Sequence, residues 1–113
     1  MLDVLDTLRD CEYMSENYEQ DHYPEVIQEE IQQARYEYMY FRDLADYLEI
    51  MIKRGIYSDD QMIEKMREKF NQMYSNFQKI SAKSMETKKK ATILKMNALN
   101  SVYEVLEDAL AQV

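Results

Sequence analysis

The sequence predicts an all-α protein: an antiparallel helical bundle with coiled-coil-like packing, built from three long helices plus a shorter N-terminal one in a four-helix up-down arrangement. Three observations lead there. One Gly and one Pro in 113 residues leave too little turn chemistry for a sandwich or barrel, which needs such punctuation every ten residues or so. Eight apolar or aromatic residues (Ile27, Ile31, Ala34, Tyr38, Phe41, Ala45, Leu48 and Ile52) follow one another at alternating steps of four and three. That is a heptad seam, the pattern of helices that pack with a left-handed supercoil. Finally, Ser58-Asp59-Asp60-Gln61 has the form of a capping box at a helix start. The whole chain reads as one helical domain, with helices at about 2–18, 24–54, 59–80 and 85–112.

The first helix is carried by Val4, Leu5, Leu8, Cys11 and Met14, the spacing of one helix face, and fades near Tyr18. Pro24 suits the first turn of the second helix, where a missing N–H costs nothing, and Glu25 complements the helix dipole. Gly55 follows Lys53 and Arg54, the placing of a left-handed C-cap residue behind dipole-matching cations. Tyr57 and Met62 flank the capping box as a hydrophobic staple. With about three residues between them, the second and third helices should form an antiparallel hairpin.

Met62, Met66, Phe70, Met73, Phe77 and Ile80 give the third helix its stripe, and Ile93, Met96, Leu99, Val102, Leu106, Ala109 and Leu110 the fourth. Ser81-Ala82-Lys83-Ser84 interrupts the pattern without Gly or Pro, and Ser84 can cap a new helix. A single helix from residue 59 to the end competes with this break. It would be a rod roughly 80 Å long at 1.5 Å per residue.

The net charge is −8 and uneven. Residues 1–34 hold ten acids against Arg9, whereas residues 79–95 hold six lysines against Glu86. The two ends are expected to neutralise each other, with the basic patch of Lys88, Lys89 and Lys90 beside Glu12, Glu16 and Glu19; the alternative is that the patch is a site for phosphate or an acidic partner. The acidic balance argues against general nucleic-acid binding. A cytoplasmic setting without a membrane is expected, since no apolar run approaches the roughly 20 residues that span a bilayer and Asp3 and Asp6 stand where a signal peptide needs positive charge.

Few residues carry chemistry. His22 is the single histidine and is expected in solvent or at a cap. Cys11, the single cysteine, is expected in the core rather than as a nucleophile. Two such residues cannot build a zinc site, and one histidine cannot build a ferritin-type di-iron centre. One glycine excludes P-loop and Rossmann motifs. Glu16 with Glu19, and Asp43 with Asp46, repeat an i, i+3 spacing that all-α nucleotide pyrophosphohydrolases use to hold Mg²⁺. Among 22 acids such pairs arise by chance, so no enzyme activity and no cofactor are expected, with a Mg²⁺-dependent nucleotide hydrolase kept as the remote alternative.

The surface is more informative. On a wheel of 100° per residue, Tyr36, Tyr40, Leu44, Tyr47 and Met51 form a second line roughly 140° from the heptad seam. This line is either a second core seam or a surface for a partner, where tyrosine buries area and keeps its hydroxyl wet. The leading expectation is a non-enzymatic helical interaction module, an adaptor or regulatory subunit that binds another protein and forms a homodimer through this face. The alternative is a small acidic inhibitor of a nucleic-acid-binding enzyme. Gly55 near the chain midpoint, with Tyr103 and Glu107 four residues apart, resembles the small Trp-x-Gly helical-hairpin proteins exported by specialised secretion systems. The chain has no Trp, so the defining motif is missing and membership is not assigned.

Overall fold

The computed structural model describes residues 1–21, 27–81 and 89–113. Within them the chain forms α1 (Leu2–Glu16), α2 (Tyr18–Asp21), α3 (Gln28–Arg54), α4 (Asp59–Ser81) and α5 (Lys89–Ala111), and no strand. The helical reading holds at the level of the elements.

Several boundaries differ from expectation. The first helix stops at Glu16, where the Asn17 amide group donates to the Tyr13 carbonyl at 2.8 Å and a single turn, α2, follows. That side-chain bond competes with continuation of the helix. Ile27 is the extended N-cap of α3 rather than part of it. It is 54% exposed, so the heptad seam begins in effect at Ile31. Pro24, Glu25 and Ser84 lie outside the described residues.

The turn after α3 forms as its residues dictate. Gly55 is left-handed, with φ 67° and ψ 11°, and its N–H donates to the Met51 carbonyl at 3.2 Å. At Ser58 the capping box is reciprocal. Its backbone N–H donates to Gln61 Oε1 at 2.9 Å, and the Gln61 N–H donates to Ser58 Oγ at 3.2 Å. Met62 is buried and Tyr57 packs on the same cluster, completing the staple.

Contacts between helices set the topology. Arg9 of α1 reaches Asp46 and Glu49 of α3, while Tyr18 reaches Glu30, so α1 and α3 run antiparallel. Arg67 of α4 grips Glu107 of α5 with two hydrogen bonds of 3.1 Å, and the Phe70 and Tyr103 rings lie 5.2 Å apart. The chain therefore reverses between α4 and α5, and the single-rod reading is excluded. Lys90 pairs with Glu29, and Lys95 lies over the Tyr36 ring, so α3 and α5 run parallel.

This is an up-down bundle flattened along one diagonal, with overall extents of 45 × 34 × 21 Å. The parallel pair α3–α5 touches across the short diagonal, and α1 and α4 lie on opposite flanks without packing on each other along their lengths. Leu8, Leu44, Leu48, Met66, Leu99, Val102 and Leu106 are fully buried along this axis. No charged or polar residue among those described is buried, so apolar burial and packing provide the stabilisation.

Candidate functional site

The second line of α3 divides once the chain folds. Leu44 is 0% and Met51 3% exposed, both in the main core. As partner-contacting residues they are corrected to core residues, because α3 has neighbours on three sides and needs two apolar seams to face them. Tyr36, Tyr40 and Tyr47 are only partly buried. The Lys69 ammonium of α4 covers the Tyr47 ring at 5.7 Å, which closes that end. The surface left open is the end that carries Tyr36 and Tyr40.

There the bundle has a cleft of about 260 Å³ between α3, the last turns of α4 and the first turns of α5. Its apolar wall is Met39 of α3 with Met73, Phe77 and Ile80 of α4. Met39 is 45% and Ile80 61% exposed. The polar groups are the two tyrosines, Asp43, Asn76, Thr92 and Lys95. Burial, then Tyr36 and Asp43, push the Tyr40 phenol upward, so its hydroxyl stays protonated and can donate a hydrogen bond.

The cleft exists because a core layer is incomplete. Lys95 stands on the heptad line of α5, seven residues before Val102 and fourteen before Ala109, both buried. A lysine in that place cannot fill the layer; it sends its ammonium 5.3 Å above the Tyr36 ring, a cation–π contact. Opposite it, Ile80, expected as the last member of the α4 stripe, is left at the rim. Ile93, expected to open the α5 stripe, is 51% exposed and lies outside the core.

A second cleft of about 380 Å³ lies on the other flank, where Met14 and Tyr18 meet Glu30, Gln33 and Glu37 of α3. Four of its polar groups are paired within it. The Tyr18 hydroxyl donates to Glu30 at 3.2 Å, and Gln33 donates to Glu37 at 3.4 Å. Burial raises the Glu37 carboxyl above its usual range, while hydrogen bonds from Gln33 and Ser101 pull it back.

The remaining candidates are dispersed. Glu19 pairs with Arg35, Asp43 with Arg42, and Asp46 with Arg9, so each acid of the two i, i+3 pairs except Glu16 has an arginine partner. Among the described residues no three His, Cys, Asp or Glu groups converge as a metal site would require. Cys11 is partly buried against the core. Burial first, then the Asp10 and Glu37 carboxylates, raise its thiol and disfavour the reactive thiolate. His22 and Lys88 lie outside the described residues. Lys89 opens α5.

The charge pairing expected between the lysines and α1 is also corrected. Lys90 pairs with Glu29 of α3, while Glu12 is held by Arg9 at 2.7 Å and Glu19 by Arg35. Tyr103 and Glu107 are both engaged within the fold, with Phe70 and Arg67. Among the described residues no helix is long and apolar enough to cross a membrane. No protein-family model, curated protein or solved structure matches the chain.

Proposed function

We propose that the protein is a non-enzymatic helical interaction module, an adaptor or regulatory subunit that docks another protein in the α3–α4–α5 cleft. One observation carries this reading: Met39 and Ile80, with Phe77 behind them, hold an apolar wall open beside the partly buried Tyr36 and Tyr40. Tyrosine and methionine are enriched where proteins meet, because they bury area and adapt to the partner's shape.

Met39→Asp and Ile80→Asp test it. Both side chains are exposed enough for the variants to keep the fold, which a thermal melt checks. Proteins that co-purify with the wild type from the native host should be lost with both variants. Co-purification indifferent to both would remove the cleft from the function. Light scattering on the isolated chain tests whether the protein also forms a homodimer.

A second reading, a small acidic inhibitor of a nucleic-acid-binding enzyme, draws support from α1. Asp3, Asp6 and Asp10 are exposed along its outer side. Arg9, the only base among the first 34 residues, is consumed by Glu12, Asp46 and Glu49. Binding of this kind should weaken steeply with salt, and an affinity unchanged by salt would count against it.

A further inference from the structure

We infer that the cleft takes an acidic amphipathic helix, with two apolar anchors one turn apart in the Met39–Phe77–Ile80 wall and a carboxylate on the Lys95 ammonium. This rests on the reading of the cleft as a docking site and adds the chemistry of the occupant. Three features argue for it.

The first is charge. The Lys95 ammonium projects from a core position over an aromatic face, and among the described residues no carboxylate ion-pairs with it. Asp43, the one acid lining the cleft, has Arg42 as its ion-pair partner at 3.9 Å. An anionic visitor is attracted here and a cationic one repelled.

The second is backbone chemistry. All three walls are helices, whose N–H and C=O groups are already bonded within each helix. No strand edge is on offer, so an extended peptide would leave its own backbone unpaired, whereas a helix arrives satisfied.

The third is size. The α3 wall runs from Tyr36 to Asp43, about 10 Å along the axis at 1.5 Å per residue. Two turns of a docked helix match that length, which corresponds to anchors at i and i+3 or i+4.

A second copy of this chain fits less well. Among its described residues the exposed apolar pair amid acids is Tyr13 and Met14, at 67% and 66% exposure. Consecutive residues on a helix diverge by about 100°, so the two cannot enter one cleft together.

The test is selection from a displayed library of amphipathic helices in which the anchor residues and flanking charges both vary, against the whole protein. Expected are clones rich in Glu or Asp around two apolar anchors. They should bind the wild type about tenfold more tightly than Lys95→Gln, with a larger loss for Lys95→Glu and weakening in salt. Enriched clones that are neutral or basic, or that ignore both Lys95 variants, would overturn the acidic helix while leaving the docking cleft intact. Clones that also bind Met39→Asp and Ile80→Asp undiminished, or no enriched clones at all, would overturn the cleft itself. A dimer of the protein alone that Lys95→Glu dissociates would replace the acidic helix by a second copy.

Discussion

The two flanks of the bundle hold their outer helices by different means. Against α1, the seam side of α3 presents small side chains. Ala34 lies beside Met14 and Tyr18, and Ala45 shares its side three turns later; both are buried. The backbones of α1 and α3 consequently run close together along much of α1. Against α4, the filling is Met62, Met66, Phe70, Met73 and Phe77, and α4 stands farther from α3 and α5. Rigid, close packing tolerates little change of shape. Methionine, with three rotatable bonds and a polarisable sulfur, tolerates more. The open cleft lies on the methionine flank, where a layer can be left unfilled without drawing the backbones apart.

Size changes at buried positions should break this comparison most sharply. Leu8→Ala, on the close flank, removes a fully buried side chain and should cost about 3–5 kcal/mol, because tightly seated backbones cannot collapse into the space. Ala45→Leu, 0% exposed, should cost about 2–3 kcal/mol by overpacking. Met66→Leu, equally buried on the other flank, should cost under about 1.5 kcal/mol. Chemical denaturation curves read all three. Equal losses at Ala45 and Met66 would show the flanks to be packed alike.

Electrostatics gives the next contrast. Arg9 spans three carboxylates on two helices at 2.7–3.0 Å, and Glu12 first, then Asp46, hold its proton even more firmly than usual. Arg9→Met should cost about 1–2 kcal/mol, between the ranges for exposed and buried pairs, and more at low salt. Arg67→Met, on the exposed surface of the α4 flank, should move the same melt less. Gly55→Ala should cost about 1 kcal/mol. Nothing lies within 4 Å of the added Cβ, so the whole loss is left-handed backbone strain.

The smallest effect is at Glu37. Its carboxyl is raised in the folded protein, chiefly by burial. The folded state therefore favours the protonated form, and the associated stability is present at acid pH and lost as pH rises through the folded pKa. Glu37→Gln should raise the melting temperature at pH 7 and leave it nearly unchanged at pH 4. A gain of equal size at both pH values would mean that its charge is irrelevant.

Much of the fold could be read in advance because local chemistry and global packing agree. Gly55, Ser58, Gln61 and the Tyr57–Met62 staple are each decided by neighbours within a few residues, and each forms as expected. The seam of α3 was legible for the same reason, since periodicity alone states which side must be dry. Periodicity does not state how many neighbours a helix has. That is why Leu44 and Met51, read as surface candidates, belong to the core of a helix with three neighbours. Nor does it flag a polar residue on a core line. The one signal for the cleft was Lys95 in register with Val102 and Ala109, and it becomes meaningful only when α4 and Tyr36 are seen around it. Charge totals misled in a related way. The excesses at the two ends were correct, but which side chains meet depends on rotation about each axis, and so Lys90 finds Glu29.

The short diagonal has one more consequence. On α3, Tyr36 lines the cleft beside α4 and its immediate successor, Glu37, lines the cleft beside α1, so a single turn of one helix serves as the partition between two compartments. Such a wall, roughly 10 Å thick, has no second layer in which to absorb a displacement. A visitor that rotates this turn on one side must carry the carboxylate on the other with it, which makes Glu37 an internal reporter for what happens to Tyr36.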